Sequence, residues 1–404
     1  MIGIELSRSR IQAQARLVRT EVFAGLVTAL ALIPETISFS ILAGVGPEVG
    51  LFTSVIFVLT ISVLGGRPAM VSAAAGSIAL VVAPLVAQHG VQYLIAAVIL
   101  GGAIQILLAW GGVIRLMRFV PNSVLTGFVN ALAILIFAAQ IPHLLGVPWL
   151  VYPMVACGLV IMLVLPRLTT VIPAPLVATA VLTVVAVVFA LGVPRVGDEG
   201  EFTSSLPTLG LPDVPLNWET LRIVLPYALA LALIGLLETL ITQRIVDGLT
   251  HTESSPLIES QGQGAANIVT GFFGGMGGCA MIGQTMMNVK ACGGRTRLST
   301  ITAGLALLCL LVFFEPALTA IPMAALVAVM IVVSFTTMDW KSISLPTLRA
   351  APVPDSAAML VTMAVTLPTH NLAYGVIAGV ACALILRRVL PTKASAREVE
   401  LLRD

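Results

Sequence analysis

Charge is the scarcest ingredient of this chain. Asp, Glu, Lys and Arg make up 10% of its 404 residues, against 58% apolar, and the mean hydropathy is +1.06. Soluble domains carry about 25% charged residues, so that class is excluded and a polytopic membrane protein remains. Catalytic signatures are missing as well. There is no HExxH, GxSxG or P-loop pattern, which leaves an intramembrane hydrolase or an NTP-driven pump without support. Cys157, Cys279, Cys292, Cys309 and Cys382 show neither metal-ligand spacing nor a disulfide framework and are expected to be small packing residues. No cofactor or metal is expected, and no nucleic-acid partner. No short apolar stretch precedes Val22, so no cleavable signal peptide is expected. A channel would need a continuous polar lining, and none is visible.

What the chain does have is long uncharged runs, at Pro68–Ile114, Phe119–Pro166, Ser260–Val289 and Ser356–Leu386. Fourteen membrane segments are expected, at 21–42, 48–65, 73–87, 91–114, 121–141, 149–166, 171–192, 221–245, 259–276, 280–290, 298–314, 320–337, 355–369 and 371–390. With the N-terminus inside, every one of the 21 Lys and Arg residues except Arg195 and Arg222 falls on the inner face. Both termini are therefore expected to be cytoplasmic in a cytoplasmic-membrane protein. A Pro-rich, acidic connection at 193–220 divides the chain into halves of seven segments. An odd number per half gives the halves opposite topology, an inverted repeat.

Two segments are too short to cross about 30 Å of hydrocarbon. Glycines cluster from Gly271 to Gly283, where backbone is expected to leave the helical state before a half-helix at 280–290. Small residues at Ala73, Ala74, Ala75 and Gly76 precede a second half-helix. The landmarks repeat: Ala73 and Cys279 lie 206 positions apart, Glu35 and Glu238 203, Pro121 and Pro322 201. Broken segments in corresponding halves mark a transporter site. A helix N-terminus offers unpaired N–H groups and partial positive charge to an anion.

Glu35 follows a dozen apolar residues and Pro34, which removes one helical hydrogen bond. A charged carboxylate at that depth costs roughly 2.5–3.5 kcal/mol, so it faces a cavity, is protonated, or is paired; otherwise it lies near the interface. Phe39, four residues on, shares its face, and Ser38 adds a hydroxyl. Glu238, with Thr242 at i+4, could hold a cation or a proton, or pair with Arg244 at the helix end. Gln284 is a site donor or an interhelical hydrogen bond. Scattered glycines such as Gly101, Gly102, Gly111 and Gly112 read as close helix packing. His89, His143, His251 and His370 read as interfacial.

The stretch LIPETISFSILAGVGPEVGLFTSVI resembles the opening segments of the sulfate permease (SulP) family of anion transporters. GGMGGCAMIGQTMMNVKACGGRTRLS is similar to the tenth-segment motif of its bacterial members, and PNSVLTGFVNALAILI to the fifth segment. The resemblance implies an all-α fold of seven-plus-seven inverted repeats. Its core domain would be 21–117 and 221–315, and its gate domain 118–192 and 316–390. Segment 1–20, the loop 193–220 and the tail 391–404 flank them. It implies a substrate between the N-termini of segments 3 and 10, beside Glu35, Ser38, Phe39, Ala73, Ala74, Ala75, Gly76, Ala280, Met281, Gly283 and Gln284. Glu238 stands where sodium-coupled members carry an acid.

The chain departs from the family pattern in several ways. Glu35 stands where the family usually has Gln. No basic residue lies between Cys279 and Val289. Met281 stands where a sodium-coupled member offers a hydroxyl, and the cytoplasmic STAS domain usual in the family is not expected here. The expected function is secondary transport of a small anion (bicarbonate, sulfate or dicarboxylate class) across the bilayer. Protons are the expected coupling ion, carried at Glu35 or Glu238 with Thr242. Burial and a neighbouring anion both disfavour a charged carboxyl, so protonation and anion binding favour each other. A nucleobase permease of the same fold, an anion channel and an uncoupled exchanger stay open, as does a homodimer.

The topology has a direct test. A single cysteine at Thr203, in a background without native cysteines, should react with an impermeant maleimide added outside. Reaction only after the membrane is opened would overturn the fourteen-segment count.

Overall fold

The computed structural model describes residues 2–112, 120–168, 172–199, 209–215, 217–369 and 372–389. Thr203, Arg115, Arg118, Glu201, His370, Lys393, Arg397, Arg403 and the expected tail at 391–404 lie outside the described residues. The chain is an all-α polytopic membrane protein, with two three-residue strands among the described residues. Its helices are α1 (Ile2–Ala43), α2 (Pro47–Leu64), α3 (Gly76–His89), α4 (Val91–Trp110), α5 (Asn122–Ala138), α6 (Val151–Leu168), α7 (Ala174–Val188) and α8 (Trp218–Thr250). They continue with α9 (Pro256–Phe272), α10 (Ile282–Met286, prolonged by a π-turn at Met287–Ala291), α11 (Arg297–Phe313), α12 (Glu315–Thr319), α13 (Met323–Thr337), α14 (Leu345–Ala350), α15 (Val353–Thr369) and α16 (Leu372–Val389). Strand β1 (Ser72–Ala74) precedes α3 and strand β2 (Gly278–Ala280) precedes α10.

A helix occupies every expected span. Among the described residues, 6 are long and apolar enough to cross a membrane by length and composition. The expected polar segment at 1–20 is not separate from the first span, because α1 runs unbroken from Ile2 to Ala43. No proline stops a helix before Pro34, and even there the helix continues. Near that proline, Ser38 Oγ donates to the Pro34 carbonyl at 2.7 Å and Thr36 Oγ1 to the Leu32 carbonyl at 2.9 Å.

By proximity the chain forms two units. The first is Met1–Gly111 with Pro142–Met330, and the second is Gly112–Ile141 with Ile331–Asp404. Within the first unit, α4 crosses α9 at a pair of glycines. A Cβ on Gly264 would lie 2.6 Å from the Gly102 carbonyl oxygen, and one on Gly101 would lie 2.8 Å from the Leu231 side chain of α8. Small residues are what let membrane helices approach this closely. Gly112 serves a different purpose from the packing expected of it: at φ 71° and with open space around it, it turns the chain after α4.

Polar residues join the ends of this unit. Arg67 pairs with Asp247 at 3.0 Å and donates to Thr252 Oγ1 at 2.9 Å. Glu21 accepts the N–H groups of Arg295 at 2.8 Å and Thr296 at 3.2 Å, just before α11.

In the second unit, α5 packs on α15, with the carbonyl of Met359 2.6 Å from where Gly127 would carry a Cβ. Asn130 of α5 donates to Ser342 Oγ at 2.8 Å and accepts the Asp339 N–H at 2.8 Å. Arg387 and Asp355 make an exposed pair at 3.1 Å, which adds little stability.

Gly264→Val should force α4 and α9 apart. The overpacking should cost about 1–3 kcal/mol or more, read as a lowered thermal midpoint and lost monodispersity in detergent.

Candidate functional site

The candidate site lies where the two broken segments meet. Strands β1 and β2 pair antiparallel, with Ser72 opposite Ala280, Ala73 opposite Cys279 and Ala74 opposite Gly278. Each strand leads directly into its short helix. The residues preceding those helices, Ala75 and Met281, are in extended conformation, and neither helix has a side-chain cap. By contrast α8, α9 and α11 are capped by Asn217, Ser255 and Thr296. The first-turn N–H groups of α3 and α10 are thus left for another acceptor.

Phe39 of α1 fixes the residue that opens α3. Its ring atom Cε1 lies 2.7 Å from where Gly76 would carry a Cβ. Only glycine lets the ring lie against that helix end. On the same face of α1, the Glu35 carboxylate lies beside the Gln284 side chain of α10. Ser38 is turned away to its own helix backbone.

On the other side, Glu238 of α8 is part-buried and binds two donors at one oxygen. The Ser77 hydroxyl of α3 donates to Oε2, and the Cys279 thiol of β2 does so at 3.0 Å. Arg244 is exposed and is not its partner. Thr242 donates to the Glu238 backbone carbonyl at 2.8 Å, so its hydroxyl faces the helix rather than the carboxylate.

The small residues divide by role. Ala73, Ala74 and Ala75 are fully buried in and after β1. Ala280 joins an apolar cluster with Ala69, Met70, Val246 and Val289. Bulk at Ala280 would therefore load the core. Gly283, in the first turn of α10, is exposed and meets nothing within 4 Å of a Cβ position. Met281 is buried, and its N–H is held by the Val71 carbonyl at 2.9 Å.

A sequence profile described as the sulfate permease family matches residues 18–153 and 148–351, most of the chain. The chain belongs to the sulfate permease family. It is 54% identical over 363 residues to YbaR of Bacillus subtilis, a protein named for sulfate transport, covering 90% of this chain and 75% of YbaR. It is 28% identical over 364 residues to the bicarbonate transporter BicA of Picosynechococcus, covering 81% of this chain and 63% of BicA. The solved transmembrane domain of a cyanobacterium BicA superposes with TM-score 0.79 at 24% identity, covering 90% of this chain and 97% of that one. SLC26A9 superposes with TM-score 0.80 at 18% identity, covering 92% of this chain and 65% of that one. These two likenesses concern the fold.

Of the expected site residues, Phe39 lies against Gly76 and Glu35 lies beside Gln284. Ser77, Cys279 and Thr239 were not singled out for the site. Cys279 was read as packing, yet its thiol meets Glu238. One signal was available, since Ser77 and Gln284 stand 207 positions apart, close to the repeat offset.

Gly283→Val adds bulk to open space with no atom to strike. It should leave the thermal midpoint and monodispersity unchanged and cut anion uptake at least about tenfold. Unchanged uptake would remove the first turn of α10 from the site.

Proposed function

We propose that this chain is a secondary transporter of small anions that works by alternating access across the cytoplasmic membrane. The observation that carries this is the meeting of two uncapped helix N-termini across β1 and β2, beside two carboxylates and with no cationic side chain in either half-helix turn. Partial positive charge and free N–H groups suit a small anion. The sulfate and bicarbonate names of relatives give the anion classes to try first.

The finer reading follows from the sequence and the family. Fourteen segments form two inverted repeats of seven, with both termini inside. A core of α1–α4 and α8–α11 carries the site, and a gate of 118–192 and 316–390 stays against it. That division cuts across proximity, which groups α6 and α7 with the first unit. With the anion's charge uncompensated by Lys or Arg, a proton accompanies it, held at Glu35 or Glu238. A partner copy in a homodimer is compatible with this scheme.

Uptake of labelled bicarbonate and sulfate into proteoliposomes should be accelerated by an inward proton gradient, and entry should carry protons. A protonated carboxyl favours the anion, so lower external pH should lower KM. Glu35→Gln restores the residue usual in the family and Glu238→Gln fixes the second group neutral. One of them should bind anion with little pH dependence. If both keep the wild-type pH profile, the proton is not carried there. Uracil uptake in place of anion uptake, or picoampere currents in planar bilayers, would overturn the transporter reading itself.

A further inference from the structure

Ser77 is the second residue of α3, in the helix turn that faces the expected anion. Its side chain is 1% exposed and donates to Glu238 Oε2. Cys279, 0% exposed, donates to the same oxygen and lies 3.8 Å from the Ser77 hydroxyl. Three separate pieces of the fold, α3, β2 and α8, therefore converge on one carboxylate.

A serine hydroxyl has one proton to give. An ionised carboxylate can only accept, and so can a fully ionised anion at the α3 N-terminus. The Ser77 proton is wanted in two places. When Glu238 is ionised, it holds that proton. Once Glu238 takes a proton from water it has an O–H of its own, and the demand on Ser77 falls.

We propose that Ser77 is the coupling hydroxyl of this transporter: its one O–H is held by ionised Glu238 in the empty site and turns to the anion when Glu238 is protonated. Cys279 is the positioning group, a weak donor that keeps the carboxyl in place through the exchange. The inference rests on the anion-transport reading above and names how its proton site and anion site communicate.

Other groups do not compete for this task. The titratable group that meets Glu238 is the Cys279 thiol. On α3 the remaining one is His89, about 18 Å along the helix at ~1.5 Å per residue, where its ring lies against Tyr93 of α4. On α9, Glu259 is engaged by the Arg67 N–H at 2.8 Å and by Gln263 at 3.1 Å. Glu35, on α1, faces Gln284. Gln284 of α10 carries no titratable proton.

The test measures KM and maximal rate for labelled sulfate, which stays fully ionised at both values, in proteoliposomes at pH 5.5 and pH 8. The set is wild type, Ser77→Ala, Ser77→Thr, Ser77→Cys, Cys279→Ala and Glu238→Gln. In wild type, KM should be lower at pH 5.5. Ser77→Ala should raise KM at pH 5.5 about tenfold, equivalent to about 1.4 kcal/mol, and bring the two KM values together. Its maximal rate should stay within about twofold of wild type, since the loss is in anion binding. Ser77→Thr keeps the hydroxyl and should keep the pH ratio. Ser77→Cys, a weaker donor, should give an intermediate ratio and remains decisive if the alanine variant is not monodisperse. Cys279→Ala loosens the carboxyl and should narrow the ratio, but by less than Ser77→Ala does.

A wild-type KM ratio in Ser77→Ala or Ser77→Cys would overturn the inference. If Glu238→Gln also flattens the profile in that case, the proton-coupling reading survives without Ser77. Uptake of neither sulfate nor bicarbonate by wild type would overturn the anion reading and this inference with it.

Discussion

The structure depends on how two stretches of non-helical backbone are satisfied inside an apolar protein. An unpaired N–H or C=O there costs several kcal/mol, so broken helices persist only where every group finds a partner. Strands β1 and β2 satisfy part of the demand by pairing with each other. The rest is met by side chains set into apolar helices. Ser54 of α2 accepts the Ala74 N–H at 3.2 Å, Thr53 that of Met276 at 2.9 Å, and Thr239 of α8 that of Ala280 at 3.3 Å. Asn267 of α9 both accepts from the Gly278 N–H at 3.0 Å and donates to its carbonyl at 3.2 Å. What remains uncommitted by side-chain caps is the first turn of each short helix. The same accounting that stabilises the break leaves free the groups to which the proposed anion would bind.

The approach to β1 is held just as firmly. Glu259, fully buried in the first turn of α9, accepts the Arg67 N–H, and Gln263 one turn later reaches Ser72 Oγ at 2.7 Å. Between them Ala69 is in the left-handed region at φ 63°, a conformation costly for a residue with a Cβ. Asn288 accommodates it by donating to the Ala69 carbonyl at 2.8 Å. The half-helix α3 is thus fixed from behind by α9 and the π-turn after α10, while its first turn has no side-chain cap.

Much of this was legible in the sequence because it is local or periodic. Glycines and small residues announced both breaks, and the two landmarks 206 positions apart, Ala73 and Cys279, face each other in the strand register. The lone carboxylates stood out against apolar helices. The hydroxyls that satisfy the strands were not legible. Thr53, Ser54 and Thr239 look like ordinary polar interruptions, and which backbone group each meets is decided by helix packing between residues up to 223 positions apart. The Cys279 thiol was misread for the same reason: a buried cysteine usually packs, and only the arrival of α8 gives it a carboxylate. The extension of α1 back to Ile2 was missed because polarity was taken as the end of a segment, whereas helix formation needs only the absence of a breaker.

The two carboxylates are arranged crosswise. Glu35, on a helix of the first half, meets Gln284 on the short helix of the second. Glu238, on a helix of the second half, meets Ser77 on the short helix of the first. The acids stand 203 positions apart and their partners 207, so the two contacts are counterparts under the proposed repeat. Their chemistry differs. An amide offers Glu35 a donor whose acceptor oxygen stays available whatever the carboxyl does. A hydroxyl offers Glu238 a single proton that can be redirected. An inverted repeat can place equivalent acids beside both half-helices, but only Glu238 has a partner whose single proton can be redirected. The asymmetry between Gln284 and Ser77 therefore favours Glu238 over Glu35 as the proposed group through which protonation is felt by the anion.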